Sequence, residues 1–285
     1  MEQTINRRYI LSIDIDYILE PFINEVELAW SERPFYVTVE KGLLDRPISI
    51  FDRQHQLAKL IKKAASISEF NFKEIMDIYT QALLSIPKKH SDKVYFADNH
   101  DTILNHIEQD YHSLDKKLQQ NTKYTIVNVD HHHDIYYSEA QAREVDLYNL
   151  VSPGDWLWYL DKTGLCDEYH WIGNDNSMLW KDICGTGAPK ALQNGGHYKS
   201  LKDFRKAYNT PKFDLMYVCK SPHWTPDMYF DYFDILKDMA EKYFNKTFKQ
   251  DIGYYCGGRS SRNILTQTHS ESLELDKKYG KDNDN

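Results

Sequence analysis

Cysteine is scarce. There are four in 285 residues, at Cys166, Cys184, Cys219 and Cys256, and no two form a C-x-x-C pair. Scattered thiols of this kind argue against a disulfide framework. With no signal-peptide pattern in the opening residues, the sequence leads to the expectation of a reduced, cytoplasmic protein. Excess positive charge is also missing: 35 Lys and Arg stand against 43 Asp and Glu, a formal net charge of −8. An acidic chain has no general attraction for nucleic acid or anionic membranes, and mildly favours a cationic substrate. No apolar run approaches the roughly 18–20 residues that span a bilayer. Phosphate-cradling glycine motifs are lacking too. Gly185-Thr186-Gly187 and Gly195-Gly196 do not make a G-x-G-x-x-G between strand and helix, Gly257-Gly258-Arg259 matches no P-loop, and all three read as turns.

Apolar and aromatic residues are plentiful: 41% of the chain is hydrophobic and 21 residues are Tyr, enough for one sizeable core with polar edges. Continuous β-rich runs occur at Tyr9–Ile15, Val94–Ala97, Tyr124–Val129 and Asp214–Cys219. Strands without strict alternation suit a parallel sheet covered on both faces. Between them lie helical stripes. Ile103, Ile107, Tyr111, Leu114 and Leu118 recur at spacings of three and four, as do Met228, Tyr232, Leu236, Met239 and Tyr243. Gln56–Ala65 and Phe72–Leu84 are further helical candidates, and the Gly/Asn-rich segment 173–200 reads as loops. The pattern predicts a layered α/β fold over residues 1–265, followed by a polar, flexible tail from Thr266 to the end at 285.

The chemistry sits where strands stop. One ends in Asp14-Ile15-Asp16, another in Asp98-Asn99-His100, a third in Asp130-His131-His132-His133-Asp134. Ligands of open α/β sheets bind beyond the carboxyl ends of the strands. On an extended segment Asp130, His132 and Asp134 would point to one side, and Asp14 and Asp16 likewise. With His100 they bring together four carboxylates and two imidazoles. Clustered carboxylates repel unless protons or cations neutralise them, and an oxygen-rich set with some imidazole suits Mn²⁺, with Zn²⁺ and Fe²⁺ as alternatives. The bland reading of each piece alone is a cap or turn.

As a set, these motifs resemble the arginase/deacetylase superfamily. Asp130-His131-His132-His133-Asp134 looks like its D-A-H-x-D, Ser12-Ile13-Asp14-Ile15-Asp16 with Glu20-Pro21 like its S-x-D-x-D…D-P, and Asp98-Asn99-His100-Asp101 like its G-G-D-H-S segment. Within the superfamily the arrangement is similar to the peptide arginases, which convert arginine side chains of ribosomally made precursor peptides to ornithine and urea. The match departs from the family pattern: S-x-D-x-D precedes D-A-H-x-D here, implying a permuted strand order or a divergent branch, the paired glycines of G-G-D-H are missing, and no residue matches the family's proton-shuttling histidine or guanidinium-holding acid.

The resemblance implies a three-layer arginase-like fold and two Mn²⁺ per chain. Asp130 and Asp14 would bridge the ions, with His100 and Asp134 completing one site and His132 and Asp16 the other. A hydroxide shared by the metals would attack the guanidinium carbon, and Asp134 would carry the proton to the leaving amine. Asp155 is a candidate for the guanidinium or else a helix N-terminal residue. His223, after the Asp214–Cys219 strand, is a candidate proton shuttle or substrate contact. Trp156, Trp158 and Trp224 would line a peptide cleft or simply fill core. His131 and His133 read as structural. The implied partner is an arginine-containing precursor peptide, and a homo-oligomer is in keeping with the family. The alternatives are a small-molecule amidine hydrolase, a deacetylase-like enzyme with one Zn²⁺, and a metal-binding relative without catalysis.

Overall fold

A computed structural model describes residues 5–19, 36–39, 43–47, 68–137, 139–174, 177, 188–222, 224–225, 227–251 and 260–261. The helix expected at 56–65, the tail from 266, and His223 lie outside these residues. In chain order the described strands are β1 (Asn6–Asp14), β2 (Tyr36–Val39), β3 (Leu43–Pro47), β4 (Val94–Ala97), β5 (Thr122–Val129), β6 (Leu150–Val151), β7 (Cys166–Ile172), β8 (Gly196–Tyr198), β9 (Leu215–Cys219), β10 (Gln250–Asp251) and β11 (Ser260–Ser261). The α-helices are α1 (Glu69–Ser85), α2 (Ile103–Ser113), α3 (Lys116–Asn121), α4 (Glu139–Tyr148), α5 (Trp156–Lys162), α6 (Lys190–Asn194), α7 (Leu201–Ala207) and α8 (Phe230–Phe244).

Seven strands form one parallel sheet in the order β10-β4-β9-β1-β5-β7-β8. Helices cover both faces. Leu11, Ile13, Val127, Val129, Met216 and Val218 turn to one side, where Ile75, Ile78 and Tyr79 of α1 and Phe233, Leu236 and Ala240 of α8 bury them. Ile10, Tyr124, Ile126, Leu215 and Tyr217 turn to the other side, against Ile103, Leu104 and Ile107 of α2, Val145 of α4 and Leu157 and Leu160 of α5. This is the three-layer α/β architecture expected from continuous apolar strands, and it is consistent with an arginase-like fold. No helix of the described residues is long and apolar enough to cross a membrane.

Local chemistry fixes the element ends. Ser68 starts α1 by accepting a hydrogen bond from the Asn71 amide (3.1 Å), the usual service of an N-terminal Ser. Asp115 accepts from the Leu118 amide (2.9 Å) and so begins α3 as a separate helix, because Leu114 is extended. The single stripe read over 103–118 is therefore two helices. Four strands were legible in the sequence, and β7 was not. Its stretch Cys166-Asp167-Glu168-Tyr169-His170-Trp171-Ile172 carries acids at its entry, yet its second half is buried beside β5. The segment read as loops over 173–200 also holds α6 and β8.

The topology places the site. β1 is central, flanked by β9 and β5. After β1 the chain moves outward in one direction to β4 and in the other through β5, β7 and β8, so the strand order reverses beside β1, where α/β sheets open a crevice. Register makes the ends level. Ile13 lies opposite Val129, Asp14 opposite Cys219, and Ala97 opposite Cys219. The polar residues after β1, β4 and β5 therefore leave the sheet at one height.

Candidate metal centre

Asp14 is the last residue of β1, and Asp16 follows in a short 3-10 turn spanning Ile15–Ile18. Asp14 accepts a hydrogen bond from the Asp16 amide (3.2 Å), which tightens the turn. His100 opens a second 3-10 turn, just before α2. Asp130 is the first residue past β5, and its amide donates to the Ile172 carbonyl of β7 (3.1 Å). Residues 130–137 are neither helix nor strand, and Asp134 has a positive φ of 54°. The pleated alternation expected for Asp14/Asp16 and for Asp130/His132/Asp134 is thus absent. These side chains converge because the backbone coils after each strand. His132's amide, for example, donates back to Asp130 Oδ1 at 2.8 Å.

All six residues come together, none more than 7% exposed. His100 Nδ1 lies 2.9 Å from Asp134 Oδ2, 3.1 Å from Asp130 Oδ2 and 3.4 Å from Asp14 Oδ2. His132 Nδ1 lies 2.7 Å from Asp16 Oδ2 and 4.0 Å from Asp130 Oδ1. Among the described residues two groups have donor atoms close enough to hold a metal ion, Asp14/His100/Asp130 and Asp16/Asp130/His132, all buried. Asp130 belongs to both. Asp14 belongs to one of them and Asp134 to neither, although Asp134 lies beside His100. His100 Nδ1 is a buried nitrogen facing three carboxylates without a hydrogen bond of proper geometry, which is how a ligand atom faces a cation position.

Electrostatics says the same. Among the described residues no Lys or Arg is ion-paired with Asp14, Asp16, Asp130 or Asp134. Burial and the Asp130 charge push Asp14 above the usual carboxylate range, and burial and the Asp14 charge push Asp16 well above it. Burial, reinforced by Asp130, pushes Asp134 up to about 8. Burial would lower His100, but Asp134, Asp130 and Asp14 outweigh it and hold the imidazole well above its ordinary value. Burial would raise Asp130, but His100 and His132 reverse that and keep it ionised. Such opposed shifts mark groups forced together in a dry place.

No family model, curated protein or solved structure matches the chain.

The supporting contacts of several residues were not foreseen from the sequence, although Ser12 stood there as the first residue of the S-x-D-x-D match. Ser12 Oγ is 2.6 Å from His100 Nε2, on the ring's far side. Asn128 Nδ2 donates to Asp130 Oδ2 (3.0 Å), and the Trp171 indole donates to the Asp130 carbonyl (2.9 Å). The available signal was a polar residue two positions before each aspartate inside an apolar strand, since Ser12 and Asn128 share the face of Asp14 and Asp130. Outer groups of this kind orient ligands and raise their basicity.

The remaining candidates fall as follows. His131 is buried, its Nδ1 3.2 Å from Asn174 Oδ1, and His133 is buried, its Nδ1 accepting from the Ile135 amide. Both sit in the core around the cluster. Asp155 is 0% exposed, and its two oxygens accept from the Ser152 amide (2.7 Å) and hydroxyl (2.8 Å) at the start of α5. Asp155 thus directly precedes α5 without capping it through its side chain, and its carboxylate is turned to Ser152 with no face to solvent. Trp156 is also 0% exposed and contacts Asp134 and His100 instead of lining an open cleft. Trp224 is half-buried, its ring 4.4 Å from that of His132. Two surface hollows, of about 530 Å³ beside Tyr9 and Tyr208 and about 450 Å³ beside Phe70 and Lys202, contain no residue of the cluster.

Proposed function

We propose that this chain is a binuclear metal-dependent hydrolase that removes urea from arginine side chains of a peptide and leaves ornithine. The observation that carries the reading is the sharing of Asp130 by two buried Asp/His groups. A single-metal enzyme has no need for both. The oxygen-rich donor set favours Mn²⁺. His100, Asp14, Asp134 and Asp130 would hold one ion, and Asp16, His132 and Asp130 the other. When bound, the pair would supply an activated water and Lewis acidity toward the guanidinium carbon.

The chain's own residues do the rest. Ser12 and Asn128 hold His100 and Asp130 in orientation. The six side chains are at most 7% exposed, and this burial strengthens every charge interaction inside the cluster. Asp134 carries a proton on its carboxylate toward the departing ornithine amine, in keeping with the motif resemblance. The Trp224 ring, half-buried and 4.4 Å from that of His132, is the proposed aromatic contact for an incoming cationic side chain.

The test is a urea-release assay with added Mn²⁺, comparing free arginine with arginine-containing peptides. The expected result is urea together with a loss of about 42 Da on peptides only, the mass difference between guanidine and amine. Urea from free arginine would point to a small-molecule amidine hydrolase. One bound Zn²⁺ with acyl-lysine cleavage would point to a deacetylase-like enzyme. Retained metal with no turnover would leave a non-catalytic metal-binding protein.

A further inference from the structure

Asp134 is the least anchored of the six by secondary structure. It lies five residues past β5 with φ at 54°, a left-handed conformation that a non-glycine residue keeps only where its surroundings impose it. The first turn of α5 supplies that imposition at two points. The Leu157 amide donates to the Asp134 carbonyl (3.1 Å), and the Trp156 indole Nε1–H donates to Asp134 Oδ2 (2.6 Å). Oδ2 is also the oxygen 2.9 Å from His100 Nδ1. Indole and imidazole therefore converge on one carboxylate oxygen. Trp156 is itself fixed. It is fully buried, its ring packs at 5.2 Å from His100 and 6.1 Å from Tyr169, and the Ser152–Asp155 turn sets where its helix begins.

We infer that Trp156 is a positioning residue: its indole N–H locks the Asp134 carboxylate toward His100 and so sets the affinity of the metal position those two residues share. The inference rests on the proposed metal centre and adds to it a residue that no metal-ligand motif contains. The physical reason is the donor chemistry. An indole nitrogen only donates, so it holds the carboxylate whether or not a cation is present, and the side chain is pre-arranged before metal arrives. A Trp that merely filled the core could be replaced by another ring, whereas the positioning role resides in one N–H.

Trp156→Phe separates the two, because it keeps a buried ring and deletes the donor. Mn²⁺ uptake is measured on the full-length chain by equilibrium dialysis, with thermal melting in chelator as the folding control. The expected result is a folded variant in which one Mn²⁺ is bound about 10–100-fold more weakly and the other as in wild type. In an Asp134→Asn background, Trp156→Phe should leave the remaining ion's affinity unchanged. Wild-type affinity for both ions in Trp156→Phe, or a further loss in the Asp134→Asn background, overturns the positioning role. A wild-type chain that takes up no metal overturns the metal centre itself, and the two failures are thereby told apart. Should the variant not fold, the wild-type indole N–H resonance of Trp156 decides the matter. It is expected to exchange slowly with solvent and to shift when diamagnetic Zn²⁺ is added, and a resonance unmoved by the metal overturns the inference.

Discussion

Both ends of the central strands bury aspartate, and they neutralise it by different means. At the amino end Asp110, 1% exposed, lies 2.7 Å from Arg8 Nε and 2.9 Å from Lys93 Nζ and accepts from the Tyr124 hydroxyl (2.9 Å). One carboxylate there has two of the chain's own cations and a phenol. At the carboxyl end Asp14, Asp16, Asp130 and Asp134 are equally buried, but among the described residues the groups beside them that can carry positive charge are the imidazoles of His100 and His132. Even with both imidazoles protonated, four carboxylates leave two negative charges unbalanced. Buried charge without compensation is costly. The amino end is therefore a closed structural knot, whereas the carboxyl end is built to be completed by protons or by cations from outside.

The comparison breaks most readily at Asp130. Asp130→Asn should abolish tight metal uptake at both positions, a weakening beyond about a hundredfold, since it removes the shared ligand. Metal analysis after dialysis reads it out, and two ions retained at wild-type affinity would refute the shared-ligand assignment. The matching change at the other end is Asp110→Asn. It should leave metal stoichiometry at the wild-type value and lower unfolding stability by about 3 kcal/mol, the lower end of the cost of breaking a buried pair, because Arg8 and Lys93 keep a fifth of their side-chain exposure. Chemical denaturation measures this, and altered metal content in Asp110→Asn would mean that the two ends are not independent.

The smallest expected effect is one of pH, and it sharpens the contrast. Asp14, Asp16 and Asp134 have raised values in the folded, metal-free chain. Each binds its proton more tightly folded than unfolded, so its cost to stability is absent below the ordinary carboxylate value of about 4 and grows as pH rises toward the folded value. For Asp134 that value is about 8. His100, also raised, has the same sign: the stability it contributes is complete below its ordinary value and is lost as pH climbs through the folded one. Asp130, lowered, acts in the opposite sense but only in acid. In chelator the melting temperature should therefore fall as pH rises from about 5 to about 8, and added Mn²⁺ should restore it. A chelated protein equally stable at both ends of that range would show that the cluster is not strained by its own charge.

Much of the site was legible because ligand chemistry is local. Asp14-Ile15-Asp16 and Asp130-His131-His132-His133-Asp134 each bring several donors within a few residues, and the apolar runs before them mark strand ends. His100 was readable only in company, since a lone Asn-His after a strand is an ordinary turn. The geometric argument was less faithful than its outcome: the pleat expected to align these residues is replaced by two 3-10 turns and a coil with a left-handed Asp134. Sequence separation hid the supports. Trp156 is 22 positions from Asp134, and Ser12 is 88 from His100. Neither local stretch says which distant side chain its polar group will meet.

What the sequence by itself determined is the α/β class, four of the seven parallel strands, and five Asp and His residues that the fold gathers into two groups able to hold a metal, because apolar runs and clustered acids act through short-range patterning and composition. What only the tertiary structure decided is which strands are neighbours, that Asp130 alone is shared by the two buried groups, that the Asp155 carboxylate is buried against Ser152, and that Trp156 faces a carboxylate instead of a cleft. Those facts depend on parallel register between strands far apart in the chain, and crossover connections fix that register through packing of whole layers, which no local pattern encodes.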